Sequence, residues 1–285
     1  MGLPLEAQHE INKIKLSLRS DPVKLKAYIG QLIEDWPDSF PQAHVAPPRA
    51  MTTATAATTS PLPPIKSGIP LVDPATATGE AKRYLEAVRG LYGGISNAAR
   101  MWAHIPYIAK AFPPYHVVME RAGVGARLPR SLTVAILLRT AHRNLSTYSI
   151  AHRRVLARHA GLSDGQIKEL AADDCGDSAE FSPAERAALR WTDECATNMA
   201  KRRDDLFDEL KRHFDNGELV EITGLCAMAN HIDLAQNALR VPLESAAEIE
   251  ALNSSASIDP NRVKTYLETL YAHWPEAFPP TPALH

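Results

Sequence analysis

LPRSLTVAILLRTAHRNLSTYSIAHRRVLARHAGLSDGQIKEL, residues 128–170, is the stretch that decides the fold. Its first part is an apolar run that reads as a helix, followed by a polar turn and then a second helix. Gly161 ends that second helix, and Ser163 with Gln166 forms a capping-box pattern for the next one. His142, Ser146, Ser149 and Arg153 recur at intervals of four, three and four. They share one face if the helix runs unbroken there, with Tyr148 and His152 beside it.

The same helical grammar extends outward. Thr78 is placed to cap an apolar-periodic run over Gly79 to Arg89. Ser182-Pro183-Ala184-Glu185 supplies an N-cap, a proline at the first helical position and an acid at the third. Leu219 to Leu239 is a long apolar helix ending before Val241-Pro242. No alternating segment is long enough for a strand, so the fold class is all-α, built from stacked helices.

HVAPPRAMTTATAATTSPLPPIK within residues 43–66 is rich in Ala, Thr and Pro and reads as a linker. It separates an N-terminal helical arm, 1–42, from a domain over 67–248, and a C-terminal helical tail covers 249–285. The two tails are related. DPVKLKAYIGQLIEDWPDSFP from Asp21 and DPNRVKTYLETLYAHWPEAFP from Asp259 align without a gap, sharing a W-P-x-x-F-P stop. Tyr28, Leu32 and Trp36 lie four apart, as one helix face requires. Each unit is too short to be stable alone and must dock on something. Two readings stand: a clip over a groove or a neighbouring subunit, or a lid over the mouth of the site.

Acids and bases are interleaved over the 285 residues and the formal net charge is −2, so there is no basic stripe for nucleic acid. No run approaches the ~18 apolar residues of a membrane span. MGLPLEAQHEINKIKLSL lacks the order of a signal peptide, and Glu6 stands where a myristoylation signal wants Ser or Thr. A cytoplasmic protein with no membrane or nucleic-acid partner is expected. Cys175, Cys195 and Cys226 are widely spaced with no C-x-x-C, which removes zinc-ribbon and thioredoxin-type readings. Cys195 and Cys226 fall in apolar helical runs and read as small buried thiols. Cys175 reads as a loop residue whose acidic neighbours disfavour a thiolate.

The central stretch resembles the carboxymuconolactone decarboxylase and alkylhydroperoxidase D superfamily. Three further segments carry the resemblance in the right order: IPLVDPATATGEAKRYLEAV as the opening segment, MWAHIP as its A-H-x-P turn, and NALRVPLE as the close of its last long helix. The resemblance implies an alkylhydroperoxidase D-like helical domain over much of 68–244, a homo-oligomer (dimer, trimer or hexamer), and a small-molecule substrate such as an acid or lactone of aromatic or secondary metabolism. In the family's redox branch the second helix opens with C-x-x-C, and a Glu twelve residues earlier and a His seven residues later relay protons. Those four positions read Val134, Ser146, Ser149 and Arg153 here. A serine hydroxyl cannot cycle through sulfenate and disulfide, so dithiol peroxidase activity is not expected. Val134 and Arg153 also depart from a simple transfer of the decarboxylases' mechanism.

A different polar set remains. ANHIDLAQNAL adds His231 and Asp233 on the last long helix. Polar residues inside apolar helices need partners, since an unpaired buried group costs about 1–3 kcal/mol. One reading is cofactor-free acid–base chemistry of lyase or decarboxylase type. In it His152 or His231 transfers a proton, Asp233 orients the imidazole, and Tyr148 or Ser149 donates to an oxyanion. His142, Ser146, Arg153 and Arg139 would then bind substrate. A second reading is a metal site from His142, His152, His231 and Asp233, which no H-x-x-x-H or H-E-x-x-H spacing supports. A third is a scaffold reduced to binding or assembly, and a fourth is a residual peroxidase that would depend on Cys195 or Cys226. His104 and His116 could line the same cavity, although His104 belongs to the A-H-x-P turn. Arg139, inside AILLRTA, needs a carboxylate or several carbonyls, so a structural ion pair competes with substrate binding.

Overall fold

Proline, glycine and capping residues divide the described chain into helices, most of them short. The computed structural model describes residues 22–37 and 68–275, where thirteen α-helices and no β-strand occur. They are α1 (Pro22–Glu34), α2 (Gly79–Tyr92), α3 (Asn97–Trp102), α4 (Pro106–Ala109), α5 (Phe112–Glu120), α6 (Arg130–Arg143) and α7 (Thr147–His159). Then follow α8 (Asp164–Glu169), α9 (Pro183–Ala196), α10 (Asp204–Leu210), α11 (Asn216–Leu239), α12 (Ala246–Leu252) and α13 (Pro260–Ala272). The Pro/Ala/Thr-rich linker lies outside the described residues. No helix among those described is long and apolar enough to cross a membrane.

The chain divides into two compact units, with the boundary at Lys264 inside α13. The smaller contains the two related tails, which pack on each other. Trp274 Nε1 donates to the Pro22 carbonyl at 3.0 Å, and Lys26 Nζ lies 5.1 Å over the Tyr271 ring. That ring also runs so close to Gly30 that a Cβ there would sit 3.0 Å from it. Ile29, Tyr266, Leu270 and Trp274 are buried. Phe40, Pro41, Phe278 and Pro279 of the repeated motif lie outside the described residues.

The larger unit is built around α6, which packs on α7, α9 and α11. Every residue from Leu132 to Ala141 is buried, so α6 is a core helix apolar on all sides rather than amphipathic. Its polar residues are satisfied locally: Thr140 Oγ1 donates to the Ile136 carbonyl at 2.9 Å. Arg139 spends all five donors inside the chain. It grips Asp193 through Nε and Nη2 at 2.6 and 2.8 Å, and bonds the carbonyls of Leu170, Ala172 and Asp173.

The α6–α7 connection corrects one expectation. The helix does not run through: α6 ends at Arg143, Leu145 adopts a left-handed φ of 52°, and Ser146 becomes the N-cap of α7, accepting from the Ser149 amide at 3.4 Å. His142 therefore belongs to a different helix from Ser149 and Arg153, and the four residues form no continuous stripe. Cys175 is a second correction. It opens a 3₁₀ turn, Cys175–Asp177, and is fully buried in the apolar cluster under α6, α7 and α8. Burial first, with Asp193, Asp174 and Glu169 adding to it, pushes its thiol up to about 12. Thr78 occupies the N-cap of α2 without a side-chain bond, whereas Ser163, Ser182, Asp215 and Ser245 all complete capping boxes.

Candidate functional site

A cavity of about 140 Å³ opens in the larger unit among α2, α3, α5, α7, α11 and the end of α12. Tyr84, Val88, Trp102, Phe112, Ile232 and Leu252 give it apolar walls. Between them lie two polar walls, one with a tyrosine and a histidine backed by a glutamate outside the lining, the other with a tyrosine, a histidine and a glutamate.

The first is anchored on α7. Tyr148 and His152, one turn apart, stack with centroids 4.5 Å from each other. Both reach Glu244: Tyr148 donates from its hydroxyl at 2.6 Å, and His152 Nε2 lies 2.9 Å from the other carboxylate oxygen. The Asn97 amide donates to the same carboxylate, and the Ala98 amide donates to the Tyr148 hydroxyl at 3.2 Å. Asn253 Nδ2 is 2.9 Å from His152 Nδ1 and also donates to the Ile249 carbonyl at 2.8 Å. With Asn253 donating, Nδ1 is the bare nitrogen and Nε2 carries the proton toward Glu244. Both nitrogens of His152 are thus engaged. Burial works against the Glu244 charge, but the bonds from His152, Tyr148 and Asn97 outweigh it and hold the carboxyl below its ordinary value. Burial first, then Glu244, raises the Tyr148 phenol.

The second wall, on α5, is looser. His116 Nδ1 lies 2.9 Å from the Tyr92 hydroxyl, while its Nε2 is 3.8 Å from Glu120. Arg121 Nε is 3.7 Å from Glu120 and is buried without a hydrogen-bond partner among the described residues; its Nη1 donates to the Ser255 carbonyl. Within the described residues Glu120 receives only these two long contacts. Burial alone would raise its carboxyl, but His116, Arg121, Arg153 and Arg130 bring it down to about 2. His116 is pushed below the ordinary histidine range by burial, with Glu120 opposing and Arg153 and Arg121 adding to the effect. At neutral pH this wall therefore presents a neutral imidazole beside an ionised carboxylate.

Two more side chains complete the lining. Ser149 Oγ donates to Gln236 Oε1 at 2.8 Å, and Arg153 bonds the Leu137 carbonyl at 2.8 Å. Arg153 also pairs with the fully buried Asp233 at 3.1 Å, and Asn144 Nδ2 donates to Asp233 at 3.0 Å. The cavity brings together Tyr148, Ser149, His152 and Arg153 of the residues singled out from the sequence, and also His116. Asp233 sits behind Arg153 and not against either histidine. His231 is exposed, stacked on Trp102 at 5.8 Å and tilted against Phe112 at 5.1 Å. His142 stays on α6, where burial first, then Arg154 and Arg139, lowers it to about 4. Ser146 is consumed as a cap and Arg139 by Asp193. His104 is exposed and bonds the Pro70 carbonyl at 2.7 Å. Among the described residues no three His, Cys, Asp or Glu side chains are placed to share a metal ion, and His142, His152, His231 and Asp233 do not converge.

Sequence reasoning passed over Glu120, Arg121, Glu244, Asn253 and Tyr92. For two of them a signal was present. His116 and Glu120 stand at i and i+4 on one helix, and Glu244 is the last residue of the NALRVPLE motif itself.

The arrangement of helices is matched by solved structures. A peroxidase-related protein from Ralstonia eutropha with an alkylhydroperoxidase AhpD core superposes with a TM-score of 0.54 at 17% identity, covering 67% of this chain and 97% of that one. The chain has the alkylhydroperoxidase D-like fold. The debrominase Bmp8 is similar to it as well. Its apo form gives a TM-score of 0.51 at 19% identity over 64% of this chain and 96% of that one. A cysteine-to-alanine variant of Bmp8 bound to 2,3,4-tribromopyrrole gives 0.53 at 18% identity over 66% and 99%. By sequence, the uncharacterized protein YnjA of Escherichia coli is 28% identical over 161 residues, 55% of this chain and 85% of that protein. No family model matches the chain.

Proposed function

We propose that this chain is a small-molecule enzyme that works by cofactor-free acid–base chemistry of lyase or decarboxylase type, without a dithiol peroxidase site. The observation that carries the reading is Glu120. It is a buried carboxylate on the cavity wall, and among the described residues its contacts, to His116 and Arg121, are longer than hydrogen bonds. An acceptor on the cavity wall with no hydrogen-bond donor among the described residues can receive one from a bound molecule. The volume suits one ring, since a cavity of about 150 Å³ takes up benzene. The debrominase neighbour, solved with a brominated pyrrole, is an instance of this fold holding such a molecule.

The roles follow from what each group has free. His116 is kept neutral by burial, held at Nδ1 by Tyr92, and has only a long contact at Nε2; it is the group suited to moving a proton. Glu120 receives a donor of the substrate and stabilises the imidazolium that forms. Arg153 is the group that would meet negative charge on a substrate oxygen, since the Ser149 hydroxyl already gives its proton to Gln236. Tyr148, Glu244, His152 and Asn253 form a closed network that fixes the opposite wall, so His152 positions rather than transfers. In a decarboxylation His116 first takes the proton of a substrate acid group, becoming the imidazolium that Glu120 stabilises, and returns that proton to the carbanion left by departing carbon dioxide. A homo-oligomeric, cytoplasmic protein is part of the same reading.

The test is incubation of the purified protein with a panel of ring-sized acids and lactones, followed by mass spectrometry. Catalytic depletion of at least one compound, with a product of defined mass, is expected. Tight stoichiometric binding of a compound with no conversion would instead make the cavity a binding site.

A further inference from the structure

Glu120 and Arg121 follow one another at the end of α5, and both line the cavity. Glu120 Oε2 and Arg121 Nε lie 3.7 Å apart, too far for a hydrogen bond and close enough to serve adjacent atoms of one ring. Arg121 donates from Nη1 to the Ser255 carbonyl, and among the described residues its Nε has no hydrogen-bond partner. The carboxylate receives no hydrogen bond within those residues either, since His116 Nε2 stands 3.8 Å from the same oxygen. Each residue is only 7% exposed, so bulk water does not stand in for the missing partners. An open acceptor and an open donor are therefore set side by side on one wall.

The pair selects against the simplest ligands. Burial opposes the Glu120 charge, but His116, Arg121, Arg153 and Arg130 overcome it and keep the carboxyl ionised at neutral pH. A carboxylate ligand would satisfy Arg121 and be repelled by Glu120. A lactone has acceptors for Arg121 but no donor for Glu120. A ring N–H without a carbonyl leaves Arg121 open in turn. A ring that carries N–H beside C=O answers both groups at once. Tyr84, Trp102, Phe112 and Tyr148 give the space aromatic walls suited to a flat ring, and its volume takes one.

We propose that the cavity binds a neutral cyclic amide of one ring, its N–H donating to Glu120 and its carbonyl accepting from Arg121. The proposal rests on the cavity being the substrate site and names the class of ring it takes. Because His116 Nε2 lies beside the same carboxylate oxygen, the bound ring sits next to the proton carrier.

The test is calorimetric binding of four rings of one size to the full chain: 2-pyridone, N-methyl-2-pyridone, 2-pyranone and benzoate. 2-Pyridone should bind about tenfold or more tightly than each of the others, which lack the donor or bring a charge. No binding of 2-pyridone, equal affinity across the series, or preference for 2-pyranone or benzoate would overturn the proposal. Glu120→Met and Arg121→Met should each abolish the preference; its survival in either folded variant would also overturn it. Should the variants not fold, proton–nitrogen correlation spectra of the wild type locate the ring. Shifts at the Glu120 and Arg121 amides are expected, and shifts confined elsewhere would refute the assignment. Binding is read without turnover, so the two readings fail separately. Conversion of an acid or lactone without pyridone selectivity sinks this proposal alone, and selective pyridone binding with no compound converted sinks the catalytic reading alone.

Discussion

His152 and His116 differ in what their second ring nitrogen touches, and that difference separates a positioning residue from a proton carrier. His152 is bonded at both nitrogens, to Glu244 and Asn253; His116 is bonded at one. Burial of neutral histidines also sets a pH dependence. His142, lowered to about 4, and His116, lowered likewise, stay uncharged in the folded state where the unfolded chain already binds protons. Their contribution is complete above about pH 6.5 and is lost as pH falls, toward about 4 for His142. Urea unfolding across pH 7 to 4 should show falling stability, with a shallower fall in His142→Gln. Arg139→Ala, which strands Asp193 and three carbonyls, should cost about 3–5 kcal/mol in the same assay. At this scale the sequence was half legible. Tyr148, Ser149, His152 and Arg153 follow from helical spacing within α7. His142 and Ser146 were drawn into the same stripe because the left-handed residue that breaks the helix between them is Leu145, while the neighbouring Asn144, the usual candidate, stays right-handed. Arg139 needed a carboxylate from α9, 54 residues away, which no local pattern identifies.

Among elements, capping chemistry carried the reading. Ser163 with Gln166 and Ser182 with Glu185 complete the boxes their spacing announces, because both halves of the motif lie within four residues. The α6–α7 turn is the costly junction. Leu145 is exposed at φ 52°, where a Cβ crowds the following carbonyl. Leu145→Gly should therefore raise stability by about 1 kcal/mol by thermal or urea unfolding. No change, or a loss, would show that Leu145 makes contacts which its exposure does not suggest. Cys175 shows the opposite failure of local reading. Acidic neighbours in AADDCGDS suggest a surface loop, yet one turn of 3₁₀ helix rotates the thiol into the core.

For the whole molecule, all-helical class and the alkylhydroperoxidase D-like fold were open to reading, since both rest on patterns repeated along the chain. The cavity was not, because its polar lining is gathered from five helical regions spread between Tyr92 and Asn253. The tails were recognised as relatives but not as each other's partner. Their pairing through Trp274 and Pro22 predicts that Trp274→Phe, which removes that hydrogen bond, weakens the smaller unit by about 1 kcal/mol. Faster amide exchange in α1 would report it. The central claim concerns the cavity: His116 moves the proton while His152 holds the wall. The measurement that tests it most directly is kcat and KM of His116→Gln and His152→Gln on a compound the wild type converts. His116→Gln should lose about 100-fold or more in kcat with the fold intact, and His152→Gln should lose chiefly through KM and stability. Full turnover by His116→Gln, with loss of kcat confined to His152→Gln, would contradict it.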